Sequence, residues 1–108
     1  MDIKVISSNG YTVVNIEGRI DTTNAGDFEK VIMKFAEEKA TKIILDCCGL
    51  QYISSSGLRI FLMLQKKMMA IQGTLRLCNL QPEIQEIFDI SGFSSIFSIF
   101  PNLDSAVS

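Results

Sequence analysis

Ser54, Ser55 and Ser56, followed by Gly57, stand between a strand-like run and a helix-like one. Hydroxyls at such a place have two uses. A serine is a favoured helix N-cap, its side-chain oxygen accepting a backbone N–H of the first turn. A helix start also presents free N–H groups and the positive end of the macrodipole, so a phosphate ester placed there is accepted without unfolding the helix. A cap needs one hydroxyl, which leaves the others for modification or for a partner, and loops after central strands are where partners meet α/β folds. Arg59 lies four residues beyond Ser55 on the same helical face. It is placed to pair with a phosphate or an acidic partner, or to stand solvated.

Other chemistries lack their residues. The chain has no histidine, which removes every Ser-His or Cys-His nucleophile arrangement and the usual zinc spacings. Cys47 and Cys48 are neighbours and Cys78 stands alone, so no disulfide framework is present and all are expected to be small buried apolar residues. There is no Gly-Lys-Ser/Thr phosphate loop and no Gly-x-Gly-x-x-Gly. Catalytic residues, metals and cofactors are therefore not expected.

The chain has 108 residues, 47% of them hydrophobic and 20% charged, enough to bury a core as one domain spanning 1–108. Its net charge of -2 lacks the electrostatic footprint of a nucleic-acid or anionic-membrane binder, so the expected partners are proteins. No signal-peptide pattern precedes the first strand, and the apolar runs are too short to span a bilayer. A cytoplasmic monomer without membrane insertion is expected.

The elements that must position the serines follow from hydrophobic periodicity. Ile3–Ser7 and Thr12–Ile20 alternate, and Asn9-Gly10 between them signals a type I′ hairpin. Val14, Ile16 and Ile20 fall on one face, opposite Asn15, Glu17 and Arg19. Thr22, Thr23 and Asn24 supply capping oxygens, with Asp27 completing a weak capping box on Asn24. A helix follows over about Ala25–Glu38, its stripe being Phe28, Val31, Ile32 and Phe35. Lys42–Cys48 reads as a buried central strand. A helix over Ser56–Ile71 carries Leu58, Phe61, Leu62, Met68 and Met69 and is stopped by Gly73. Thr74–Cys78 is a strand, and Pro82 starts a helix that ends at Ser91-Gly92. Ile96–Phe100 is a last edge strand, with a short terminal helix after it. Phe93, Phe97 and Phe100 are expected in the core. The fold class is α/β, a mixed central sheet of four to five strands with about four helices.

This element order resembles the STAS domain of the anti-sigma factor antagonist type over essentially the whole chain. The residues that carry the resemblance are Gly18-Arg19-Ile20-Asp21, Ile53-Ser54-Ser55-Ser56-Gly57-Leu58, and Ile87-Phe88-Asp89-Ile90-Ser91-Gly92-Phe93. The family's serine turn reads Asp-Ser-Ser/Thr-Gly-Leu, with its first serine phosphorylated by a partner kinase. That role falls on Ser55, with Ser54 and Ser56 as alternative acceptors. The resemblance implies partner switching. The unphosphorylated antagonist binds an anti-sigma factor, often itself a serine kinase of the histidine-kinase-like ATPase fold, and frees a sigma factor. Phosphorylation turns it off, and a metal-dependent serine phosphatase restores it. The implied partner-binding surface is Asp21, Thr22, Thr23, Ser54, Ser55, Ser56, Gly57, Leu58 and Arg59. Two departures stand out: Ser54 replaces the acid before the phosphorylated serine, and Arg59 stands where many members have glycine. The alternatives are a phosphorylation-independent STAS scaffold subunit of a transporter or signalling complex, and a nucleotide-binding protein that uses the helix start at Ser55.

Overall fold

Asn9 and Gly10 both take left-handed backbone, with φ of 51° and 84°, the geometry a two-residue hairpin needs to match strand twist. Across this turn β1 (Asp2–Ser8) and β2 (Tyr11–Ile20) pair antiparallel. β3 (Lys42–Ile53), β4 (Thr74–Cys78) and β5 (Ser98–Phe100) then add in turn, each parallel to the strand before it, giving a five-stranded sheet in the order β1-β2-β3-β4-β5. The computed structural model describes residues 1–38 and 40–108.

Because the order advances in one direction, right-handed crossovers put all their helices on one face of the sheet. α1 (Ala25–Glu37), α2 (Ser55–Ala70) and α3 (Pro82–Ser91) accordingly share one apolar core with Val14, Ile16, Leu45 and Leu77. Phe61 sits at its middle, fully buried, with ring centroids 5.7 Å from Phe28, 6.1 Å from Phe88 and 6.5 Å from Phe97. The opposite face is covered over a small area by α4 (Leu103–Val107), which packs Ala106 on Tyr11, Val13, Ile44 and Cys78. Arg76 pins α4: its Nη1 donates to the Ala106 carbonyl at 2.6 Å, while the guanidinium lies 5.2 Å from the Tyr11 ring and 5.1 Å from the Phe100 ring.

Several expectations shift. β3 continues past Cys48 to Ile53, because it carries an extra residue opposite Asn15–Glu17 and another opposite Gly18–Arg19, and these bulges keep it paired with β2 through the glycine. A Cβ on Gly49 would lie 2.7 Å from Glu17 Cγ, so glycine is what permits this pairing. α1 ends at Glu37, and its buried stripe is Ala25, Phe28, Ile32 and Ala36, with Phe35 half-buried and Val31 exposed. α2 starts one residue earlier than expected, at Ser55, and buries Gly57, Ile60, Phe61, Leu64 and Met68. Leu58 and Leu62 are only half-buried, and Met69 is 67% exposed at the end remote from the serines. Gln72, with φ 58°, takes the left-handed position after α2. Gly73 is required instead by crowding, since a Cβ there would meet Met68 Cε at 2.7 Å and the Thr41 carbonyl at 2.9 Å. Phe93–Ser95 forms a 3₁₀ turn, so β5 begins only at Ser98. Phe97 is buried, with Phe93 packed on the same core and Phe100 half-buried on the other face. Cys47 and Cys78 are buried, whereas Cys48 is exposed because it points to the open face of β3.

Candidate functional site

β2 and β3 end side by side, Ile20 paired with Ile53, and the next residue of each strand opens a turn. The Ser54 amide donates to the Ile20 carbonyl at 2.8 Å, tying the two turns together. Ser54 is the N-cap of α2. Its backbone is extended (φ -80°, ψ 169°), its Oγ accepts from the Gly57 amide at 3.2 Å, and it is only 7% exposed. Its carbonyl accepts from the Leu58 amide at 2.9 Å. The cap therefore occupies the hydroxyl of Ser54 and leaves Ser55 exposed as the first helical residue, with Ser56 half-buried behind it. The amides of Ser55 and Ser56 lie in the first turn, where no carbonyl of the helix can reach them.

Gly57 is what lets α2 begin so close to the strand ends. A Cβ there would lie 2.7 Å from Ile53 Cγ1 and 2.8 Å from Ile20 Cγ2, both in the branched, buried parts of their side chains. Leu58 is half-buried against the helix-side core, and Arg59 is exposed. Ser56, Arg59 and Met63 of α2 face Ala25, Gly26 and Glu29 of α1 across a shallow groove beside the serine turn.

The β2–α1 turn is held by its own side chains. Asp21 Oδ1 accepts from the Thr23 amide at 2.9 Å and from Thr23 Oγ1 at 2.5 Å. Thr22 and Thr23 are exposed. Asn24 does not cap α1 with its side chain as expected. Its Oδ1 accepts from the Asp21 amide at 2.9 Å and its Nδ2 donates to the Arg19 carbonyl at 2.8 Å, bracing the turn against β2. Spacing alone could not reveal this, because an asparagine before a helix has the same sequence signature whichever way its amide points.

The Thr23 hydroxyl and amide, with a smaller contribution from Arg19, hold the Asp21 carboxyl below its ordinary value of 3.8. A depressed carboxyl stabilises the fold fully above its unfolded value and loses that contribution as pH falls through its native value. The Thr23 amide resonance is therefore expected to titrate with a midpoint below 3.8, and Thr23→Ala should move the Asp21 midpoint back towards 3.8. An unshifted midpoint in the parent protein would show that the turn is not closed in solution.

On the open face of the same sheet end, Arg19 and Tyr52 are register partners, and the guanidinium stacks 4.3 Å from the ring centroid. Both are exposed. The sequence pattern does not single out Tyr52, because 50–53 reads there as connection rather than strand.

The arrangement offers an exposed hydroxyl on a braced turn where β2 and β3 end. Strand order never reverses, so the sheet has no switch-point crevice of the kind that holds nucleotides in doubly wound folds. Among the described residues, no group of histidine, cysteine, aspartate and glutamate is placed to hold a metal ion, and no helix is long and apolar enough to cross a membrane.

Comparison with known proteins gives the same architecture. A family model described as the STAS domain matches residues 2–106. The candidate anti-sigma factor antagonist BtrV of Bordetella bronchiseptica is 33% identical over 106 residues, covering 98% of this chain and 91% of the relative. The anti-sigma-B factor antagonist of Bacillus subtilis is 32% identical over 108 residues, covering 99% of this chain and 97% of the relative. The crystal structure of a candidate anti-sigma factor antagonist from Thermotoga maritima superposes with a TM-score of 0.90 at 17% identity, covering 96% of this chain and 90% of that one.

Proposed function

The chain belongs to the STAS domain family, and on that premise we propose that it is an anti-sigma factor antagonist whose binding is switched off by phosphorylation of Ser55. The observation that carries this reading is the division of labour within the serine turn. Ser54 spends its hydroxyl as a buried cap, whereas Ser55 is exposed at the first position of α2. Phosphate on Ser55 meets the positive end of α2 and its free amides, so the fold is kept while the surface gains roughly two negative charges.

The partner is an anti-sigma factor that is also an ATP-dependent serine kinase. The Ser55 hydroxyl gives up its proton to a base of that partner, its oxygen takes the γ-phosphoryl group, and ADP leaves. A separate serine phosphatase hydrolyses the ester and restores binding. The contact surface is the serine turn with Gly57, Leu58 and Arg59, together with Asp21, Thr22 and Thr23 on the adjoining turn. The setting is the cytoplasm, where sigma factors act.

Ser54 also answers for the missing acid. An aspartate at this position would cap α2 equally well, so the helix start needs no carboxylate, and the substitution alters only the charge offered to the kinase.

Intact-mass and peptide-mapping measurements on protein from its native cells are expected to find phosphate on Ser55, and Ser55→Ala to remove it. Phosphate that persists on Ser56 in the Ser55→Ala variant would move the switch by one residue. A protein unmodified in growth and stress, and retained by something other than an anti-sigma factor, would favour the phosphorylation-independent scaffold instead.

A further inference from the structure

The two edges of the sheet are treated differently. β5 is three residues long and is followed at once by Pro101, which ends pairing on that side. β1 is seven residues long, has no proline, and pairs with β2 without a register shift. Its middle residues, Val5 and Ile6, are 45% and 54% exposed on opposite faces. An edge with these properties is a template for another strand.

The hairpin fixes which backbone groups are free. A two-residue loop makes Ser8 and Tyr11 a hydrogen-bonded pair, and alternation down the ladder assigns the other bonded pairs to Ile6–Val13, Lys4–Asn15 and Asp2–Glu17. The N–H and C=O groups of Ile3, Val5 and Ser7 therefore point away from β2, and their side chains lie on the helix-bearing face with Val14 and Ile16.

We infer that β1 is a self-pairing surface, and that a second copy of this chain docks antiparallel along it about a twofold axis through Val5, joining two sheets into one. In this register Val5 meets Val5, and Ile3 of each copy meets Ser7 of the other, each pair exchanging both backbone bonds. Lys4 of one copy lies beside Ile6 of the other on the open face, so its aliphatic stem covers that side chain while its ammonium reaches water. A register centred on Lys4 would instead oppose like charges. The twofold operation is closed, so assembly stops at two chains. The serine turn lies at the ends of β2 and β3 and stays free. The sequence alone suggests a monomer; the long, proline-free edge, guarded only by the charges of Asp2 and Lys4, argues for a weak dimer, since strand pairing of this size buries less than about 1,200 Å².

The test is sedimentation velocity of the full chain from about 10 µM to about 1 mM, the range expected for weak contacts. The parent protein should move from the 12.0 kDa monomer to twice that mass. Val5→Pro removes an N–H that β2 does not use, so it should stay monomeric over the whole range while keeping its far-UV circular dichroism. Val5→Lys, which opposes two ammonium groups on the axis, should do the same and serves if the proline variant loses structure. A parent protein that is monomeric at the highest concentration overturns the inference. So does a dimer that survives both substitutions. A monomeric parent whose affinity for its protein partner falls on Val5→Lys would assign the edge to a strand of that partner instead.

Discussion

Ser55→Asp is expected to weaken binding of the anti-sigma partner by at least about 100-fold while leaving the thermal midpoint unchanged or slightly raised. The two halves of this expectation have separate causes. A carboxylate in the first turn of a helix interacts favourably with its N-terminus by about 0.3–1 kcal/mol. Ser55 is exposed, so no packing is lost, and α2 has no other acid in its first turn to repel the new one. At the interface the sign reverses. An unpaired charge buried by a partner costs about 3–5 kcal/mol, which is more than a hundredfold in affinity. Calorimetric titration of the purified partner with parent and variant, alongside thermal melts, measures both quantities. Equal affinities would sink the proposed switch, and a large drop in melting temperature would show that the turn does not tolerate an acid.

Phe61→Ala is expected to be the most destabilising single truncation, by about 3–5 kcal/mol, a large share of the roughly 5–15 kcal/mol available to a domain of this kind. The ring is wholly buried and touches aromatic rings from α1, α3 and the segment before β5. The surrounding elements are tied to the sheet by other residues and cannot all move inward to fill the void. The chain contains no tryptophan, so urea unfolding is best followed by far-UV circular dichroism. Ser54, Gly57 and the ends of β2 and β3 lie outside this aromatic group, so partner affinity per folded molecule should be kept. A loss below about 1 kcal/mol would mean that the core closes over the gap.

The legible parts of the sequence were those where one local rule decides. Asn9-Gly10 specifies its hairpin because few other residues accept left-handed backbone twice in succession. Pro82 and Gly92 bound α3 for similarly local reasons. Ser54–Gly57 was legible as a helix start, but not the choice of Ser54 as the cap, since three adjacent serines offer the same oxygen and only the docking of α2 on Ile20 and Ile53 selects among them. The extension of β3 through Gly49 was hidden because its two bulges interrupt the strict alternation of β3 and are defined only by its register with β2. Val31 and Met69 have helical spacing but stand at the margin of their stripes, where the neighbouring element decides burial. Asn24 and Tyr52 both act on the Gly18–Asp21 segment, through an amide orientation and a cross-strand stack that spacing does not reveal.

The strand order has a consequence for the chain's emergence from the ribosome. Each strand takes its place beside the one made just before it, so no strand waits for a distant neighbour, and every loop closed is a single turn or crossover. β2, α1, β3 and the first turn of α2, which together form the serine turn, are all synthesised before β4, α3 and β5. The growing edge at each stage is the strand just completed, so nascent pairing proceeds in the direction of translation. The proposed recognition surface is laid down early, and the later elements close the core beneath it.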